Sequence, residues 1–133
     1  MTNHYKRAVL AEFHKKVLPN KVLLLLGARR VGKTDLIKKY LSGIPKTDYL
    51  QLNGEDVDDA NLLKERSVNN YNRLLANVNL LVIDEAQNMP EIGMILKLIV
   101  DSIEGIKIIA TGSSVFDLSN KLGEPLVGRK NTI

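Results

Sequence analysis

Three short polar stretches of this 133-residue chain carry residue types able to do chemistry, and each follows an apolar run. The first is Gly27-Ala28-Arg29-Arg30-Val31-Gly32-Lys33-Thr34, directly after four leucines. Its glycines permit backbone conformations and close approaches that a Cβ blocks. Successive N–H groups in such a loop turn inward and cradle anionic oxygens. A following helix adds the attraction of its positive end. Lys33 is a point charge for the β- and γ-phosphates, and the Thr34 hydroxyl is a hard oxygen suited to Mg²⁺. The spacing G-x-x-x-x-G-K-[ST], with a strand before it and a helix after it, points to a triphosphate site.

The second stretch is "LLVIDEAQ", in which Asp84 and Glu85 end an apolar run. A carboxylate at a strand's C-terminal end stands at the edge where open α/β sheets carry ligands. Asp84 there can support Mg²⁺ through its water shell. Glu85, the next residue, can orient and polarise an attacking water. The plain alternative is a solvated acidic turn. The third stretch is "IIATGSS", which offers Thr111, Ser113 and Ser114 at another strand end. A hydroxyl there can contact the γ-phosphate or the water. Thr111 and Ser113 are both candidates for that contact, Ser113 as a catalytic residue. Small polar residues after a strand are also common helix caps.

Taken together, "GARRVGKT", "LLVIDEAQ" and "IIATGSS" resemble Walker A, Walker B with a catalytic glutamate, and sensor 1 of the additional-strand, catalytic-glutamate division of P-loop ATPases. Within that division the chain looks like the N-terminal domain of AAA-type prokaryotic ATPases, a largely uncharacterised group, from its first helix through "GSSVFDLSNKLGEPLVGR". The resemblance implies a Mg²⁺-dependent ATPase driving a conformational switch in a larger protein. It implies a nucleotide-binding set of Gly27, Ala28, Arg29, Arg30, Val31, Gly32, Lys33, Thr34 and Asp35. Thr34 and Asp84 fall to the metal and Glu85 to the attacking water. Lys33, Ser113 and Arg129 stand beside Glu85 as candidates for catalysis. It also implies a central parallel sheet ordered 5-1-4-3-2. Members usually continue into a further strand, a winged-helix-like segment and a C-terminal domain, so residues 1–133 read as the N-terminal ATPase core of a longer protein, with those later domains as partners.

Arg129 in "LVGRK" could stabilise charge at the γ-phosphate, from its own subunit or a neighbour in an oligomer. An ordinary surface arginine is the alternative. Arg29 and Arg30 occupy loop positions that cradling does not dictate; they suit bidentate phosphate contact or solvent. ATP is expected over GTP, because "NKLG" at 120–123 lacks the aspartate of a guanine reader. His4 and His14 lie more than one helical turn apart, which argues against a two-histidine metal site.

These groups need elements to position them. "KVLLLLG", "NLLVIDEAQ" and "IKIIATGSS" are apolar runs of the kind that form strands buried on both faces. "TDYLQLNG" alternates weakly and predicts a fourth strand. Helices are expected over about 5–17, from Lys33 to Leu41, through "GEDVDD" to Leu75, from Pro90 in a first turn to Gly105, and over 115–122. "KNTI" reads as the start of a fifth strand. Alternating strands and helices predict a three-layer α/β/α sandwich on a mostly parallel sheet, its last strand incomplete or missing.

Composition narrows the rest. There are no cysteines, which removes disulfides and thiolate metal sites and fits the cytoplasm. The longest purely apolar run, Val22–Leu26, is far too short to cross a bilayer, so no membrane role is expected. A formal charge of +4 attracts polyanions weakly, which leaves a DNA or protein partner open. With two Phe, four Tyr and no Trp, stacking platforms for single strands are not evident. Three functions compete: an ATPase, a nucleotide-binding module without turnover, and a P-loop phosphotransferase, the last disfavoured by the lack of an arginine-rich lid segment.

Overall fold

The computed structural model of the chain describes residue 11 and residues 14–26, 33–112 and 130–132. Five strands form one sheet: β1 (Lys21–Leu26), β2 (Tyr49–Asn53), β3 (Leu80–Asp84), β4 (Lys107–Gly112) and β5 (Lys130–Thr132). Every pairing is parallel and the order is β2-β3-β4-β1-β5, which is the expected 5-1-4-3-2 read from the other edge. "KNTI" does supply the fifth strand, three residues long, beside β1.

Strand β1 lies between β4 and β5, so its leucine run needs apolar cover on both faces. Alternation along it divides the core. Val22 and Leu24 join one cluster, with Ile108, Ala110, Leu81 and Ile83. Leu23 and Leu25 join the other, with Ile109, Leu80 and Val82. The first cluster is roofed by α2 (Val57–Lys64), α3 (Val68–Leu74) and α4 (Ile92–Ser102). The second is roofed by α1 (Lys33–Ser42) and by Val17, which follows the helical residues His14–Lys16. This is the three-layer sandwich. Each fully buried Leu or Ile contributes about 1.5–3 kcal/mol. Edge strand β2 leaves Gln51 and Asn53 exposed, the source of its weak alternation.

Local signals set the helices. The Asp56 carboxylate accepts from the Asp58 and Asp59 N–H groups at 2.8 and 3.2 Å and starts α2. Ser67 Oγ accepts from Asn70 N–H at 3.1 Å and starts α3. Between them, buried Asn70 donates to the Leu62 and Glu65 carbonyls and closes the end of α2. Helix α4 buries Ile92, Ile95, Leu96 and Ile99, as its stripe predicts. Its start differs from expectation: Pro90 is outside the helix. Met89, preceding a proline, is held extended (φ −86°, ψ 128°), and Glu91 then takes a left-handed backbone at φ 55°. Helical geometry begins only at Ile92. The 115–122 helix and most of the 5–17 helix lie outside the described residues. Among the described residues, no helix is long and apolar enough to cross a membrane.

Candidate functional site

Three strands end together at one edge of the sheet. In register, Leu26 of β1 pairs with Gly112 of β4, Leu25 with Thr111, and Ile83 of β3 with Ala110. Asp84 therefore stands beside Thr111, one strand over from the end of β1 at Leu26. Two strand spacings separate the ends of β1 and β3, about 10 Å. Helix α1 begins at Lys33, immediately after that loop, so Lys33, Thr34 and Asp35 make its first turn. The first N–H groups of a helix lack intrahelical partners and carry its positive end.

Thr111 is the link. It is fully buried, which obliges its hydroxyl to find partners. That hydroxyl donates to Asp84 Oδ1 and accepts from the Glu85 N–H at 3.1 Å. One side chain of β4 thus bonds both the carboxylate of Asp84, the last residue of β3, and the backbone of Glu85 just after it. A carboxylate has two oxygens and about four lone-pair sites, so Asp84 keeps acceptor capacity after bonding Thr111. Asp84 and Glu85 are both half-buried.

Glu85 turns the chain sharply away from the sheet, with φ 50° and ψ 47°. Non-glycine residues seldom take this left-handed conformation, and Glu has no side-chain preference for it. The surroundings hold it there. Its carbonyl accepts from Asn88 N–H at 3.1 Å in the 3₁₀ turn Ala86–Asn88. Gly54, just past β2, donates its N–H to the Asp84 carbonyl at 2.7 Å. A Cβ on Gly54 would sit 2.1 Å from the Glu85 carbonyl oxygen, so only glycine leaves room for this corner. Gln87 Nε2 donates to Glu85 Oε2 at 2.8 Å.

The structure thus brings Asp84, Glu85 and Thr111 together and sets the start of α1 on the same sheet. Gly27, Ala28, Arg29, Arg30, Val31 and Gly32 lie outside the described residues, as do Ser113, Ser114, Arg129 and His4. His14 packs its ring against Tyr40 at a centroid distance of 4.7 Å. It borders a hollow of about 350 Å³ at the opposite ends of the strands, with Asp48, Asn79 and Lys107. Among the described residues, no group of three or more His, Asp or Glu side chains is arranged to hold a metal. Sequence reasoning missed Gly54 and Gln87. The signal for Gly54 was a glycine directly after a strand; the Gln87 contact left none.

A parallel sheet ordered 5-1-4-3-2, a helix opening at Lys33 of the sequence G-x-x-x-x-G-K-T after an inner strand, and an acidic strand end beside it define a nucleotide-binding, ATPase-type P-loop domain. Residues 19–133 match the AAA domain family, and the chain belongs to that family of AAA-type P-loop ATPases. Among curated proteins, "Uncharacterized protein MJ1544" of Methanocaldococcus jannaschii is 31% identical over 120 residues, covering 86% of this chain. The chain spans about a quarter (26%) of that relative's length. Among solved structures, that of Rhizobiales Trip13 aligns with a TM-score of 0.50 at 16% identity, over 86% of this chain and 45% of that one, a likeness of fold.

Proposed function

We propose that this domain binds and hydrolyses ATP with Mg²⁺ and that the cycle drives a conformational switch in a larger protein of the cytoplasm. The observation that carries the reading is the pairing of both acids to one buried hydroxyl: Thr111 holds Asp84 and the backbone of Glu85 at the edge where the 27–32 loop begins.

The residues fit the task. Backbone N–H groups of Gly27 through Gly32, with the first turn at Lys33, Thr34 and Asp35, cradle the phosphates, and Lys33 neutralises the β- and γ-oxygens. The Thr34 hydroxyl and Asp84 carboxylate are hard oxygen donors, the set that suits Mg²⁺. When bound, the ion offsets charge on the phosphate oxygens. Glu85 accepts a proton from a water as that water's oxygen bonds to the γ-phosphorus. The bond from the γ-phosphorus to its bridging oxygen breaks, that oxygen leaves with its electrons on ADP, and phosphate is released. Ser113 and Arg129 are assigned to the γ-phosphate, and Arg29 and Arg30 to the nucleotide or to solvent. Absence of cysteine supports the cytoplasmic placement.

In the full-length protein, Glu85→Gln is expected to cut phosphate release by about 100-fold or more while ATP still binds by calorimetry. Unchanged turnover in that variant removes Glu85 from the mechanism. Binding with no turnover in the native protein makes the domain a nucleotide-sensing module instead. Free phosphate appearing without a second substrate excludes a phosphotransferase.

A further inference from the structure

We infer that Gln87 is the positioning residue that orients the carboxylate of Glu85 for its work on water; this rests on the role proposed for Glu85. The backbone of Glu85 is fixed at both ends, by the Thr111 hydroxyl on its N–H and by the Asn88 N–H on its carbonyl. That fixes where Cβ starts and nothing beyond it. A glutamate retains three side-chain torsions that these backbone contacts do not restrain, and freezing them costs entropy. A base left to wander spends little time aimed at a reacting atom.

Gln87 supplies the missing restraint. Its Nε2 donates to Glu85 Oε2 at 2.8 Å, a full-strength contact in a half-buried setting. The donor is itself well seated, since the turn that carries it buries Ala86 completely and ends at buried Met89. The chemistry of the donor matters. An ionised carboxylate accepts only, and one amide hydrogen bond on Oε2 leaves Oε1 to receive a proton. A lysine or arginine would hold the carboxylate as well, but its positive charge would hold down the basicity that proton transfer needs. A neutral amide orients the carboxylate without setting a full positive charge beside it. The arrangement is a base held by a third group, the pattern of activated hydrolytic sites.

The test compares Gln87→Leu, which keeps bulk and removes the donor, with the native full-length protein. Turnover should fall between about 10-fold and 100-fold, with KM for ATP and ADP affinity within about twofold and no fall in thermal midpoint. A readout independent of turnover is the ¹⁵N-labelled side-chain amide of Gln87 in nucleotide-free protein, whose signals should move in Glu85→Ala. Native or higher turnover in Gln87→Leu overturns the inference, as do Gln87 amide signals indifferent to Glu85→Ala. Loss of turnover in Glu85→Gln but not in Gln87→Leu overturns this inference alone; intact turnover in both removes Glu85 from the mechanism as well.

Discussion

Two corners of this molecule have the same backbone and opposite purposes. Asn20, before β1, and Glu85, after β3, both sit in the left-handed region, at φ 56° and φ 50°. Asparagine is enriched there and glutamate is not. Asn20 spends its whole side chain on the fold: Nδ2 donates to the Val100 and Ile103 carbonyls at 2.8 Å, and Oδ1 accepts from Gly105 N–H at 2.8 Å. Its own N–H donates to the Ile106 carbonyl. It ties the start of β1 to the end of α4, where Gly105 makes the return at φ 82°. Glu85 gives only its backbone to the fold, and its carboxylate meets one neutral amide. This contrast supports the catalytic role proposed for Glu85.

The largest effect on stability should come from Asn20. Removing three side-chain hydrogen bonds, two of them to part-buried carbonyls, costs about 3 kcal/mol in Asn20→Ala. Asn20→Gly should be the milder change, because the left-handed backbone costs glycine nothing. Urea midpoints measure both. Turnover per folded molecule should stay within about twofold of native. A loss well beyond that would break the comparison, since it would mean the two corners are one coupled unit.

How far sequence alone reached follows the same division between local and non-local contacts. The leucine run, "LLVI" and "KIIA" mark inner parallel strands because continuous apolarity has no other use at that length. The acids fall at a strand end for the same reason. The sheet order came from family resemblance, since periodicity says nothing about which strands are neighbours. Pro90 misleads because it forces Met89 extended and delays the helix to Ile92. Asn20 reads as a helix breaker; its partners lie 80 or more positions away and leave no local trace. The Gln87–Glu85 contact was invisible because residues two apart face different ways in a regular helix. Only a left-handed corner leading into a 3₁₀ turn brings them together.

Gly54→Ala tests the point where the two purposes meet. The new Cβ would meet the backbone at Glu85 O and C, 2.1 and 3.0 Å away, and no flexible side chain can yield there. Either β2 or the Glu85 corner must move. We expect a loss of about 1–3 kcal/mol, the usual cost of overpacking, together with reduced turnover in the molecules that fold. Thermal unfolding beside turnover at a temperature well below the midpoint separates the two. Lost stability with native turnover would show that β2 yields and the acid corner does not, which would sharpen the view of Glu85 as rigidly held.

The smallest effect concerns a polar group that resembles Asn20 in being wholly structural. Tyr71 is fully buried, and its hydroxyl donates to the Leu63 carbonyl at 2.9 Å, joining α3 to α2. Burial pushes the phenol up to about 12, opposed by nearby Arg66 and assisted by Glu65. In the unfolded chain it titrates near 10. The folded state therefore holds its proton more tightly, and unfolded chains release theirs first as pH rises. The stabilisation is complete below about pH 10 and is lost on approaching 12. Tyr71→Phe should cost about 1 kcal/mol at pH 8 for the missing hydrogen bond. It should also remove part of the decline above pH 10, so the gap between native and variant narrows with pH. Every other group is common to both proteins, so the difference between them isolates the phenol. Stabilities that fall in parallel from pH 9 to 11 would mean that Tyr71 ionises as easily in the fold as outside it, and would place this contact nearer to solvent than its burial indicates.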